Sequence, residues 1–430
     1  MSRSFLLVGV GLGAIGAGSL VLLAIASRAL QADDFASFGV WFGFVNLVAF
    51  GLFSPLETAV SRTMLATGGL TWLMKRQALV YGSVVVVSIL VLGVLLQSIV
   101  VARLMNGSWA LMAVTMVYVV VLGVQAFERG VAVGYSEYRP LFWQFTTDGV
   151  LRVVLPLVAV RYGGSSTLVF ASCVAVAATV GVLGGFVAIK SRTGQDLKRL
   201  DIGIDRRALA VLILAAFGAQ VLMNGAPPVL SLAGNDDVRT MAALVGALTL
   251  TRIPLLFTSA IQAPLLPPMV AMIARGDTRG LWVLIRRLLI GLGIAAILAA
   301  ILGWQIGEAV LRTYLGTDNV ASPLALALLA SSGVALLTTL AVQAALIAAA
   351  SHRALANAWL IGVAIFAITI SYNASAIAVA PLAIALGTTA TLITMLIGLR
   401  VTLRGSQTDM NIRGTSRAGR PTQRRTRRPF

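Results

Sequence analysis

Between Ser4 and Ser27 the chain runs 24 residues without a charged side chain. As a helix that run is about 36 Å long at ~1.5 Å per residue, enough to cross the roughly 30 Å apolar core of a bilayer. Backbone groups in that core must be satisfied within the segment, so the run reads as a membrane helix. It also holds Gly11, Gly13 and Gly16, which spell G-x-G-x-x-G. A dinucleotide-binding turn needs those glycines between a short buried strand and an amphipathic helix, whose N-terminus receives the pyrophosphate. Asp33 and Asp34 fall near where a ribose-binding acid would stand, but no polar helix face precedes them. The glycines fit small-xxx-small spacing instead, as Gly9/Gly13 and Ala14/Gly18, which lets another helix pack closely in lipid.

Similar runs recur along the whole chain. Hydrophobic residues make up 58% of it and charged residues 11%, against roughly 25% charged in a soluble domain. The fold class is therefore an all-α integral membrane protein. Met1-Ser2-Arg3 leads straight into the long apolar run without an A-x-A cleavage site, which reads as a retained first helix. One cysteine, Cys173, and one histidine, His352, give no disulfide framework and no thiolate or imidazole metal site. No metal or cofactor is expected.

Charge-poor runs divide the chain into twelve predicted spans: 5–27, 38–60, 78–101, 108–127, 141–160, 167–189, 208–232, 240–262, 288–310, 322–349, 355–372 and 380–399. The positive-inside rule tests this division. With a cytoplasmic N-terminus, 26 of the 33 Lys and Arg fall on the cytoplasmic side and five on the other: Arg28, Arg103, Arg161, Arg239 and Arg312. Arg152 and Arg252 lie within spans. Both ends are thus expected in the cytoplasm.

The chain also repeats itself. "LTWLMKRQ" (70–77) resembles "GLWVLIRR" (280–287), and "YSEYRPLFW" (135–143) resembles "SHRALANAW" (351–359). Trp72 to Arg103 is 31 residues, and Trp282 to Arg312 is 30. Two copies of six helices insert with the same orientation, so the lobes should be related by a pseudo-twofold axis along the membrane normal, with a site between them. The expected division is an N-terminal lobe (1–189), a basic cytoplasmic linker (190–207), a C-terminal lobe (208–403) and a disordered Arg-rich tail (404–430). A tail tethered to a membrane meets anionic lipid headgroups before nucleic acid, so lipid is its expected partner.

Charges within the spans carry the functional information, because an unpaired charge at the bilayer centre costs several kcal/mol. Arg252, in "LTLTRIPLLF", lies near the middle of the eighth predicted span, two residues before a Pro254 expected to kink the helix. It is either a strut pinned to a carboxylate or a cavity residue that meets an anionic substrate. Asp148 and Arg152, at i,i+4 on the fifth span, are either a local ion pair or a cavity-facing pair that opens during transport. Glu57 follows Pro55 near the cytoplasmic end of the second span. If a proton or other ion is coupled to transport, Glu57 and Asp148 are the expected carboxylates of the first lobe.

The loop-and-span pattern "ASRALQADDFASFGVWFGFVNLVAFGLFSPLETAVSR" (26–62), the connector "MLATGGLTWLMKRQ" and the two six-span lobes resemble the polysaccharide and O-antigen (Wzx-type) flippases of the multidrug/oligosaccharidyl-lipid/polysaccharide exporter superfamily. The resemblance covers 5–403 and implies a carrier that moves a prenyl-pyrophosphate-linked glycan across a bacterial inner membrane. It further implies polysaccharide-assembly enzymes as partners and a cationic cavity, to which Arg252, Arg152 and Arg62 would contribute. The alternative within the superfamily is an ion-coupled multidrug or small-metabolite antiporter. A membrane-embedded glycan polymerase or ligase would need a catalytic loop outside, and every predicted outside loop is short, so no enzyme is expected. The acidic-basic loop of the major facilitator carriers is missing, since "SRTMLATGGLTWLMKRQ" contains no acid.

Overall fold

The computed structural model describes residues 3–190, 202–234, 237–253, 255, 265, 268–316, 321–349, 351–372 and 379–418. Among them every regular element is a helix. The first half contains α1 (Arg3–Ala29), α2 (Ala32–Val48), α3 (Ser54–Thr67), α4 (Trp72–Leu95), α5 (Trp109–Gly134), α6 (Arg139–Arg161) and α7 (Thr167–Lys190). The second contains α8 (Arg206–Asn224), α9 (Ala226–Leu232), α10 (Val238–Thr251), α11 (Thr278–Gln305), α12 (Gly307–Leu315), α13 (Pro323–Ala348), α14 (His352–Tyr372) and α15 (Ala380–Ala418). The end of the bundle near the termini is called terminal below, and the opposite end distal.

Among the described residues, eleven helices are long and apolar enough to cross a membrane. In the eighth predicted span, α10 supplies 14 helical residues, while Pro254 and residues 256–262 lie outside the described residues. The second predicted span is longer than expected, a 36-residue unit from Ala32 to Thr67. A π-turn, Ala49–Phe53, widens the helix just before Pro55. Proline cannot donate to the preceding turn, and within that turn the Leu52 carbonyl accepts a hydrogen bond from the Tyr81 hydroxyl of α4 at 2.7 Å. The fourth span runs on to Gly134 rather than ending at 127, so Glu128 and Arg129 belong to the helix. Their charges had marked a loop, yet both find protein neighbours.

The repeat seen in the sequence is also a repeat of packing. In each half the first span packs on the fifth, the fifth on the sixth, the fourth on the sixth and the third on the fourth. The third spans, α4 and α11, both turn apolar faces outward, through Leu79, Val84 and Leu95 and through Ile290, Ile294 and Ile297. Such faces suit lipid. About twelve spans in two lobes describe this architecture.

Of the two small-residue pairs in α1, Ala14/Gly18 is the helix crossing. A Cβ on Gly18 would collide with the Gly149 carbonyl of α6, and one on Gly149 would lie 2.5 Å from the Ala14 carbonyl oxygen. Gly9 and Gly13 face open space. Two further segments differ from expectation. The end of the linker is packed, with the Thr71 hydroxyl donating to the Ile202 carbonyl at 2.9 Å and the Ile204 amide to Gln77 Oε1 at 2.6 Å. Ile204 is buried, an apolar anchor inside a charged stretch. The tail read as disordered from 404 continues α15 to Ala418, because extending a nucleated helix is far easier than starting one.

Candidate functional site

The two halves meet along α2. Gly39 and Gly43, one turn apart, permit the approach: a Cβ on Gly39 would come within 2.5 Å of Val245 in α10, and one on Gly43 within 2.9 Å of the Asn224 carbonyl oxygen in α8. Both partner helices stop at this seam. Pro227 and Pro228 end α8 at Asn224 and start the short α9, while α10 ends at Thr251 with Arg252 as its C-cap.

Arg252 therefore lies about 20 Å along α10 from its distal start, inside the ~30 Å apolar core. One Nη donates to Asn224 Oδ1 at 3.1 Å, and Asn224 Nδ2 in turn donates to Gln220 Oε1 at 2.6 Å. The other Nη is buried and has no hydrogen-bond partner among the described residues. Two helix C-termini, each carrying about half a negative charge, converge here and make the cation tolerable. What remains is an unfilled donor of an always-charged group, the kind of vacancy a carboxylate or phosphate fills. Interrupted membrane helices with converging ends are also where transporters place substrate sites.

Arg152 sits elsewhere, within the first half, and it is saturated. Its Nε and Nη2 grip Asp148 at 2.8 and 3.1 Å, Nη1 donates to Ser19 Oγ at 3.1 Å and Nη2 to the Tyr118 hydroxyl at 3.2 Å. Tyr118 leans on Trp41, whose Nε1 donates to Thr115. The geometry supports the ion pair of the two sequence readings, with Arg152 and Asp148 tying α1, α5 and α6 together. Glu57 is likewise paired, with Arg129 Nε 2.9 Å from its carboxylate. Arg62 is exposed on α3 toward the terminal end. The structure thus sets Arg252, Arg152 and Arg62 in three separate places.

Three groups at these sites escaped the sequence reading. Asn224 and Gln220 are uncharged and so invisible to a search for charges, although their i,i+4 spacing in "AAFGAQVLMNGAPP" just before two prolines was a usable signal. Glu128 fell one residue beyond the predicted fourth span. Among the described residues no group of three or more His, Cys, Asp or Glu is placed to hold a metal ion.

At the distal end the halves are tied by hydrogen bonds. Ser27 Oγ donates to the Leu315 carbonyl at 3.0 Å, Arg28 Nη2 to the Thr313 carbonyl at 2.7 Å, and the Tyr314 hydroxyl back to the Leu20 carbonyl at 2.6 Å. Ser231 of α9 donates to the Arg103 carbonyl at 2.7 Å.

No protein-family profile matches the sequence, and neither does any curated protein. Solved structures do match in fold. A multidrug resistance MATE family transporter of the MOP superfamily, in its inward-facing conformation, aligns with TM-score 0.68 at 14% identity, covering 93% of this chain and 99% of that one. An outward-facing conformation of such a transporter aligns at 0.59 and 14%, covering 95% and 99%. A mutant of the Vibrio cholerae MATE transporter VcmN aligns at 0.60 and 14%, covering 94% and 96%. Over nearly its whole length, this chain has the fold of MATE transporters of the MOP superfamily.

Proposed function

We propose that the chain is an alternating-access transporter whose central site takes an anionic group. The observation that carries this is the Arg252 guanidinium, held by Asn224 at the seam between lobes with one donor unfilled. The distal hydrogen bonds close that end, and their exchange for contacts at the terminal end would expose the seam to the opposite face. Fold neighbours described as inward- and outward-facing support such a cycle.

The same neighbours are described as multidrug resistance transporters, which favours export of small molecules as the transport mode. Flipping of a prenyl-pyrophosphate-linked glycan, with the polysaccharide-assembly enzymes that implies, is the second reading. It rests on the sequence pattern and on the fit of Arg252 to a pyrophosphate. Both readings place the chain in a bacterial inner membrane with cytoplasmic termini, its basic tail on anionic lipid. Depleting the protein and analysing the cells separates them. Retention of a small organic anion supports export, whereas accumulation of a glycosylated prenyl-pyrophosphate supports flipping. If neither builds up, the proposal fails.

A further inference from the structure

Among the described residues, one buried carboxyl of the first lobe makes no ion pair. Glu128, on α5, is 6% exposed. Oε2 accepts a single 3.3 Å hydrogen bond from the Gln144 amide of α6, and Oε1 is buried with no hydrogen-bond partner among the described residues. On the α7 side Gly185 faces it so closely that a Cβ there would stand 3.2 Å from Oε2. The other carboxylates of this lobe's interior are satisfied: Glu57 by Arg129, and Asp148 by both ends of the Arg152 fork.

The surrounding charges are already committed. Arg129, next in the chain, is the cation that acts on Glu128, but its guanidinium turns to Glu57 of α3 and lies 5.7 Å over the Phe145 ring. On α6, Arg152 grips Asp148, one turn beyond Gln144, and Arg139 starts the helix. The described side chains of α7 include no Asp, Glu, Lys or Arg, and Cys173 is its one thiol. On α3 Arg62 is exposed, and on α4 Lys75 and Arg76 stand in the first turn, with Arg76 over Trp72.

A carboxylate left with one weak amide hydrogen bond in such a place would be a nearly bare charge, whereas the acid form leaves only a hydroxyl unmet, a far smaller cost. We propose that Glu128 is a proton-binding site of the first lobe, occupied in this conformation and emptied to water when the α5–α6–α7 junction opens toward the terminal end. Glu128 lies six residues from the end of α5, about 9 Å along the helix, so water has a short way to travel. On release the O–H bond breaks, the proton passes to water, and the carboxylate left behind draws in solvent or Arg129. Resting on the transport reading, this assigns ion coupling to Glu128 rather than to Glu57 or Asp148, both of which are locked in ion pairs.

Infrared spectroscopy of the full chain in lipid vesicles tests the site without knowledge of the substrate. At neutral pH the wild type is expected to show the carbonyl stretch of a protonated carboxylic acid in dry surroundings. Glu128→Gln should abolish that band while melting like the wild type, since an amide is isosteric with the neutral acid. Gln144→Leu removes the donor to Oε2 and should move the band to higher wavenumber, so a poorly folding Glu128→Gln would still leave a decisive variant. A wild type without the band, or a band unchanged in both variants, overturns the proposal even if transport is demonstrated. Coupling is read separately: with the proton site removed, Glu128→Gln should make transport independent of a proton gradient. Gradient-driven transport in that variant would overturn the coupling.

Discussion

Replacing Arg252 with alanine is expected to reduce transport tenfold to a hundredfold while leaving the protein in the membrane at normal levels. A hydrogen bond to a charged group is worth about 1.5–3 kcal/mol, and each ~1.4 kcal/mol is a factor of ten. The guanidinium donates only to Asn224 among the described residues, so its removal orphans one neutral amide and should not unfold the helix. Arg252→Lys keeps the charge but loses the planar fork, and is expected to restore part of the activity. Complementation of a depleted strain, with membrane levels measured in parallel, reads both. Full activity in the alanine variant would demote Arg252 to a structural group.

Gly18→Leu is expected to prevent stable folding. The crossing of α1 and α6 is backbone against backbone: a Cβ on Gly18 meets the Gly149 carbonyl, and Gly149 itself lies against Ala14. No flexible side chain can yield there, so the helices must separate. Overpacking costs typically 1–3 kcal/mol, and separation also pulls Ser19 away from Arg152 at the next residue, so about 3 kcal/mol or more is expected. Gly9→Leu and Gly13→Leu, on the same helix with nothing within 4 Å of either Cβ, should change stability by less than ~0.5 kcal/mol. Thermal melting of the four proteins in detergent decides it. Equal losses at all three positions would mean that Ala14/Gly18 is not the crossing.

The contrast between these glycines marks how far the sequence could be read. Helices in lipid announce themselves by length and lack of charge, and a repeat such as "LTWLMKRQ" and "GLWVLIRR" announces a two-lobe plan, because both are one-dimensional patterns. Which of Gly9/Gly13 and Ala14/Gly18 faces α6 is set by helix rotation, and that depends on a partner about 130 residues away. The charges were legible as charges but not as a constellation. Arg152 and Asp148 are neighbours on one helix, so their pairing could be read from i,i+4 spacing. Glu57 and Arg129 are 72 residues apart, and their pairing could not. Glu128 was not legible, because charge ordinarily marks the end of a membrane span and here the helix carries its carboxyl inside. Asn224 needed the fold, since an amide in an apolar run matters only once a helix break brings it to Arg252.

The most direct test of a two-lobe, alternating seam is the sidedness of its exposure. In a Cys173→Ser background, Gln220→Cys places one thiol on the turn of α8 beside Asn224. Labelling with a membrane-impermeant thiol reagent is then compared in right-side-out and inverted vesicles. Alternating access predicts that the thiol is reached from both faces, with the distal face reached more slowly because of the closing hydrogen bonds at Ser27, Arg28 and Tyr314. A thiol labelled from one face only, or from neither, would contradict the account.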